Sequence, residues 1–256
     1  MRLDKAVFTR KLAQSRSRAG ELIARGDVCV NGTVCTKSAC DVGEDDVLTV
    51  ADSIGYVSRA GLKLQHALRT FSLSCENLNA LDIGASTGGF TQCLLKHGAR
   101  HVWAVDVGRG QMAPELARDA HVTLMEGINA RTLTPDRIDG QKDLAVMDVS
   151  FISQTVIFPA LFACLKDGAP AVTLLKPQFE AGEKALNKHG VVRALAKELP
   201  RIMEQTEYAA HACGYGIARA CASPIAGSDG NREFLLLLKK NAPPFDFLTF
   251  CKENVT

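Results

Sequence analysis

Four short stretches carry side chains whose types and positions could do chemistry together. MDVSFIS has Asp148 at the end of an apolar run, LLKPQFE has Lys176 at the end of another, NREFLLLL opens its run with Glu233, and SRAGLKL carries Lys63 ahead of all three. Proline biases the residue before it toward an extended conformation, so Pro177 predicts Lys176 at a strand terminus rather than inside a helix. Each residue alone has a plainer explanation: Asp148 could cap a helix, Lys176 could be a surface charge and Glu233 a solvated carboxylate. Together they bring acids and an amine to one sheet edge, the edge at which open parallel sheets collect ligands.

A glycine turn lies beside them. LDIGASTGGFTQCLL, residues 81–95, reads as a buried strand, a turn and a helix. Ser86 stands where the second glycine of GxGxxG would let backbone approach a dinucleotide pyrophosphate, and no GK[ST] follows, so neither a dinucleotide nor a nucleoside triphosphate fits well. Asp82 sits at the strand end, and Asp106 closes the next strand about twenty residues on, placed to accept hydrogen bonds from ribose hydroxyls. An adenosine ligand without phosphates suits such a site. S-adenosylmethionine is the obvious one, because its sulfonium and amino groups are cationic and tolerate a carboxylate. The competing explanation is that Gly88 and Gly89 only permit close helix–strand packing, with Asp82 as a helix cap.

The elements that must hold these residues follow from periodicity. LNALDIG, HVWAVDV, HVTLME, DLAVMDV and AVTLLK are near-continuous apolar runs, and residues 89–97, 155–166 and 194–213 have helical spacing. Strands of this kind alternating with helices predict a parallel sheet covered on both faces, an α/β fold. YGIARACASPI and EFLLLLKK, with GSDGN between them, predict an antiparallel hairpin at the end of the sheet, which brings Glu233 to the edge occupied by the other strand ends. A polar link, ADSIGYVSRAGLKL, precedes this region.

Ahead of the link the chain is basic: residues 1–25 hold Arg2, Lys5, Arg10, Lys11, Arg16, Arg18 and Arg25 against Asp4 and Glu21, although the whole chain carries only +2. Such a segment could follow a phosphate backbone or simply be a solvated helical face. Leu3, Val7, Leu12 and then Ala19, Leu22, Ile23 predict two short helices, Ser15 or Ser17 a cap for the second, and Gly26 its end. Asn31-Gly32 within VCVNGTVCT predicts a two-residue hairpin turn. SRSRAGELIARGDVCVNG resembles the motif of the S4 RNA-binding domain. The resemblance implies that Arg2, Arg10, Arg16, Arg18 and Arg25 contact RNA phosphates, with Arg59 and Lys63 of the link adding to the grip.

The 256 residues are enough for one ordinary domain and a small one, and 46% hydrophobic content supports a core. The nine cysteines include no CxxC pair and no His at metal-ligand spacing, so they are expected to be reduced thiols and no metal is expected. No apolar run approaches the ~18 residues of a membrane span and the start has no signal-peptide core, so a cytoplasmic location is expected.

SRAGLKL, LDIGASTGGFTQCLL, AVDVGRGQM, DVSFIS, LLKPQFE, GVVR and GNREFLLLL, in that order behind an S4-like module, resemble the TlyA family, the haemolysin A-like, FtsJ-related ribosomal RNA methyltransferases. The resemblance covers nearly the whole chain. It implies an S4-like domain over 1–51, a linker over 52–60, and a Rossmann-like methyltransferase domain over 61–256 with a mostly parallel sheet and an antiparallel final strand. It implies transfer of a methyl group from S-adenosylmethionine to a ribose 2'-hydroxyl of rRNA, with cytidine the expected base and rRNA or ribosomal subunits the partners. Lys63, Asp148, Lys176 and Glu233 match the family's Lys-Asp-Lys-Glu tetrad; Asp82, Gly84, Ser86, Thr87, Gly88, Gly89, Asp106, Asn129 and Asp148 match its cofactor site. Ala60, Ala85, Gln92 and Gly127 depart from the family's usual Gly, Ser, Asp and Arg, and none removes a tetrad member.

In that reaction Lys176 is the candidate base or the group that orients the hydroxyl. As a base it must be neutral, which desolvation and a neighbouring Lys63 favour and Asp148 and Glu233 oppose. Placement alone can also lower the barrier. Two other readings stand beside this one: an RNA-binding or ribosome-assembly protein that binds cofactor without turnover, and a membrane-lytic protein. For lysis the best segment, TVIFPALFACL, is short and interrupted by Pro159.

Overall fold

The computed structural model describes residues 1–13, 15–24, 26–50, 55–227 and 230–255. The first helices are α1 (Leu3–Thr9) and α2 (Arg16–Ala24), followed by short strands β1 (Val28–Val30), β2 (Thr33–Val34) and β3 (Leu48–Val50). The Ser15 hydroxyl accepts the N–H of Arg18 at 3.1 Å and so caps α2. Gly26, at φ 74°, ends it. Asn31 and Gly32 take φ 51° and 78°, the left-handed pair that joins β1 to β2 with the twist a hairpin needs. β3 pairs with β1 on the other side and was not legible in the sequence, since three residues give period-2 alternation little room. Leu3, Val7, Leu22, Ile23, Val28 and Val50 close a small core between the helices and this sheet.

The guanidinium of Arg10, expected on phosphate, turns instead onto backbone carbonyls of the loop before β3, bonding Gly43 at 2.7 Å, Glu44 at 3.1 Å and Asp46. A charged donor shared among carbonyls that have no sheet partner fixes the loop from inside the domain. Arg10→Ala is therefore expected to cost about 1.5–3 kcal/mol in the stability of this module, read by urea denaturation; an unchanged midpoint would contradict the structural role.

The larger unit begins with α3 (Ala60–Phe71), which the polar start of the link concealed. Its buried residues Leu64, Ala67, Leu68 and Phe71 recur at helical spacing. The chain continues through β4 (Asn79–Ile83), α4 (Gly89–Lys96), β5 (His101–Asp106), α5 (Pro114–Ala117), β6 (Val122–Glu126), β7 (Leu144–Met147), α6 (Phe158–Ala163), β8 (Ala171–Leu175), α7 (Pro177–Glu180), α8 (Leu195–His211), β9 (Tyr215–Ala222), β10 (Phe234–Lys240) and α9 (Phe247–Asn254). Among the described residues these strands form a seven-stranded sheet in the order β6-β5-β4-β7-β8-β10-β9. β4 through β8 run parallel, and β10 is antiparallel to both β8 and β9.

Alternation along the strands divides the core. Leu81 and Ile83 of β4 face a cluster with Phe158, Leu161, Leu199 and Ile202, while Ala80 faces one with Leu64, Leu68, Phe90 and Leu94. Tyr56 of the link belongs to the second cluster, and Gly61 leaves room for its ring. The helix expected over 155–166 is a 3₁₀ turn, Gln154–Val156, followed by α6. Pro159 does not break that helix: it lies in the first turn, where no backbone donor is needed. TVIFPALFACL thus supplies Phe158 and Leu161 to the core. Among the described residues no helix is long and apolar enough to cross a membrane.

Candidate functional site

The strand order steps outward from β4 in both directions, toward β5 on one side and β7 on the other, and the crevice between their carboxyl ends is where such sheets bind ligands. The glycine turn sits there. Gly84 has φ 82° and touches the end of β7; a β-carbon added to it would collide with the carbonyl oxygen of Asp148. A β-carbon on Gly89 would collide with the Ser58 hydroxyl, so this glycine lets the link lie against the start of α4. Gly88 packs in the same way against Met112 and Leu116. The packing role weighed for these last two glycines is therefore present, alongside a turn that borders two cavities.

The first cavity, of about 480 Å³, opens between the turn and the ends of β5 and β7, with Gly84, Ser86, Asp106, Ile128, Asn129 and Asp148 on its walls. Val107, 74% exposed, and Ile128 give it apolar surface. Asp106 accepts the N–H groups of Ser86 at 2.8 Å and Gly108 at 2.6 Å, which ties the turn to the β5 loop. A carboxylate offers about four lone-pair positions, so acceptors remain for hydroxyls. The Asn129 side chain caps a 3₁₀ turn by accepting the N–H of Arg131 at 3.0 Å. A smaller cavity of about 170 Å³ lies on the other side of the turn, lined by Ser58, Thr87, Gly89, Asp148 and Lys176.

Asp82 does not line either cavity, because alternation along β4 turns its side chain beneath the turn toward α4. Thr91 donates to its Oδ2 at 2.6 Å, while Oδ1 is buried without a partner. Burial pushes this carboxyl up to about 7; the Thr91 bond opposes the shift and the nearby Asp148 charge adds to it. An unfolded chain holds aspartate near ~4. Between these values the folded state keeps a proton the unfolded state has lost, so the group's contribution to stability is present at low pH and disappears as pH rises through about 7. Asp82→Asn keeps an acceptor for Thr91 and cannot ionise. Its stability relative to the parent is expected to climb by a few kcal/mol across that window and then level off, measured by denaturation at stepped pH; a pH-independent difference would count against the assignment.

The four chemistry-bearing residues form two ion pairs. Lys63 Nζ lies 2.5 Å from Glu233 Oε2, with both side chains buried. Lys176 Nζ lies 2.6 Å from Asp148 Oδ1 and donates to Ser150 Oγ at 2.9 Å. Lys176 also borders a third cavity, of about 230 Å³, together with Glu233, Ser150, Phe151 and Gln178. Ser150 touches all three cavities, and only its place in DVSFIS hinted at it. Phe151 was also missed: it is 92% exposed and held at φ 63°, an unusual conformation for a bulky residue, with its ring 5.3 Å from that of Phe179. Glu180 braces this loop by accepting Ser153 Oγ at 2.6 Å and Gln154 N–H at 2.9 Å.

The arginines of the N-terminal unit are less free than their number suggests. Arg2 and Arg16 both bind Asp4, at 3.0 and 2.9 Å, and the Arg2 hydrogen bond leads the effects that bring the Asp4 carboxyl down to about 2. Arg18 pairs with Glu21 at 3.2 Å. Arg59 reaches back to Cys29 Sγ at 3.5 Å, against Gly26. Arg25 lies outside the described residues.

In the larger cavity beside this turn a ligand meets carboxylates, Asp106 and Asp148, and no lysine or arginine among the described residues; of the two cavities at the turn Lys176 borders only the smaller, where it is paired with Asp148. That acidic wall repels phosphate and fits a cationic, adenosine-bearing group. Comparison with known proteins agrees. Residues 1–48 match the S4 domain, and residues 56–240 match the FtsJ-like methyltransferase family. The chain is 42% identical to Hemolysin A of Brachyspira hyodysenteriae over 92% of its own length and 98% of that protein. It is 41% identical to the 16S/23S rRNA (cytidine-2'-O)-methyltransferase TlyA of Mycobacterium tuberculosis, over 93% and 89% of the two chains. The solved structure of a "putative hemolysin" from Streptococcus thermophilus superposes with a TM-score of 0.76 at 39% identity, covering 99% of this chain and 93% of that one. A parallel sheet carrying a carboxylate-walled glycine turn, joined to an S4 domain, thus has its counterpart in sequence, and the chain belongs to the FtsJ-like methyltransferase family.

Proposed function

We propose that this protein methylates the 2'-hydroxyl of a cytidine in ribosomal RNA, using S-adenosylmethionine, in the cytoplasm, with ribosomal RNA or ribosomal subunits as its partner. The observation that carries the proposal is the Lys176–Asp148 pair, which stands where the cavities beside the glycine turn meet the cavity below Phe151. Bound in the crevice, the cofactor supplies an electrophilic methyl group on a sulfonium. Asp106 and Asn129 would hold its ribose end, and Gly84, Ser86 and Thr87 border the path toward Lys176.

A ribose hydroxyl is a weak nucleophile, so its placement matters more than its prior ionisation. Lys176, fixed by Asp148 and Ser150, directs the hydroxyl oxygen by hydrogen bonding. As the oxygen–methyl bond formed, the sulfur–methyl bond would break and S-adenosylhomocysteine would leave as a neutral thioether, while the hydroxyl proton, made strongly acidic, would pass to the carboxylate of the Lys176–Asp148 pair. Glu233 forms part of the wall of the substrate cavity, and Lys63 behind it supplies its countercharge. The exposed Phe151 offers a face on which a base swung out of the RNA stack can rest. The N-terminal unit, an S4 domain, supplies the RNA grip through the outer faces of Arg2, Arg16 and Arg18, with the linker and domain boundaries falling between residues 51 and 61.

The test is to incubate pure protein with methyl-labelled S-adenosylmethionine and unmodified ribosomal subunits or naked rRNA, then map the label. Label at one cytidine 2'-oxygen is the expected result; cofactor binding with no label in any rRNA would refute the proposal.

A further inference from the structure

The cavity that receives the target nucleoside has a buried polar group that the reaction does not use. Its walls are carbon-rich, formed by Phe151, Phe179 and Leu186, and beside Lys176 they include Gln178. Gln178 is only 9% exposed, and its Oε1 is buried without any hydrogen-bond donor. Buried carbonyl oxygens are rarely left in this condition, because the desolvated acceptor is costly until something bonds to it. The residue stands in the first turn of α7, two positions after Lys176, with Pro177 between them fixing the backbone. Its place relative to the reacting amine is therefore set by a rigid segment.

We infer that Gln178 selects the target base by accepting a hydrogen bond from an exocyclic amino group, the 4-amino group of cytosine. This rests on the proposed 2'-O-methylation. The terminal torsion of a glutamine is soft, so the amide can turn its acceptor into the cavity when a donor arrives there. The same amide carries N–H donors beside that oxygen, and cytosine carries N3 beside its amino group, so the two edges match as acceptor–donor against donor–acceptor. A flat base resting between Phe151 and the rest of the wall would present that edge while its ribose faces Lys176. A hydrogen-bonding site of this kind rejects an analogue that lacks the group, since its own polar atom is then left unpaired.

The test uses the mapped target RNA in two forms, one with cytidine at the target and one with 2-pyrimidinone riboside, which lacks only the 4-amino group. Both compete for the full-length protein, and the ratio of transfer rates is read directly. The parent protein should prefer cytidine by about tenfold or more, and Gln178→Leu should bring the ratio to within about twofold of unity while binding S-adenosylhomocysteine as the parent does. A parent ratio near unity overturns the inference. So does a variant that keeps the parent ratio, or one that folds and binds cofactor yet transfers nothing to either RNA. Failure of the parent on every RNA would instead strike the proposed function itself.

Discussion

Lys176→Met should leave cofactor affinity close to that of the parent and lower methyl transfer by about 10²–10⁴. Methionine fills a similar volume but can neither pair with Asp148 at 2.6 Å nor donate to Ser150 at 2.9 Å. The hydroxyl then loses its director, and the carboxylate beside it loses the partner that holds it in place. Lys176→Arg should recover little, since a forked guanidinium needs more room than the single Nζ bound between Asp148 and Ser150. Single-turnover transfer to rRNA and calorimetric titration of the cofactor separate the two effects. A rate within threefold of the parent would remove Lys176 from the mechanism.

Glu233→Gln should destabilise the larger domain by about 3–5 kcal/mol, the usual cost of breaking one side of a buried ion pair. The Lys63 and Glu233 side chains are both buried and 2.5 Å apart, and glutamine leaves the ammonium without a countercharge. Replacing both residues, as Lys63→Met with Glu233→Leu, should restore most of that stability, because two charges then cease to be desolvated. It should not restore transfer, since Glu233 also borders the substrate cavity. Chemical denaturation of Lys63→Met, Glu233→Leu and the double variant gives the coupling, and additive losses would show that the pair does not act as a unit.

Much of this organisation could be read from residue order. Apolar runs ending in Asp106, Met147 and Leu175 made a parallel sheet the economical arrangement, and Pro177 held Lys176 at a strand end. The antiparallel turn-back of β10, inferred from the short GSDGN connection, carried Glu233 to the same edge. What escaped was decided by contacts between distant parts. α3 follows directly on the polar residues Ser58 and Arg59 of the link, and its apolar stripe has meaning only against α4 and β10. Arg10, Arg2 and Arg16 look alike as a basic run, yet one is consumed by carbonyls of a loop and two by a single carboxylate, Asp4. Phe151 depends on a left-handed backbone that its own side chain disfavours, held by the Glu180 bonds to the following residues. No local pattern announces such a conformation.

The Lys63–Glu233 pair joins the first helix of the larger domain to its last strand, 170 residues apart in the chain. During synthesis, every strand of the cofactor crevice has been made before Glu233 is added. The nascent polypeptide therefore holds an ammonium whose counterion does not yet exist, and the substrate wall stays open until the terminal hairpin docks. Completion of translation is thus built into maturation of the site, because the residue that closes the substrate cavity is added after every strand that shapes the cofactor crevice.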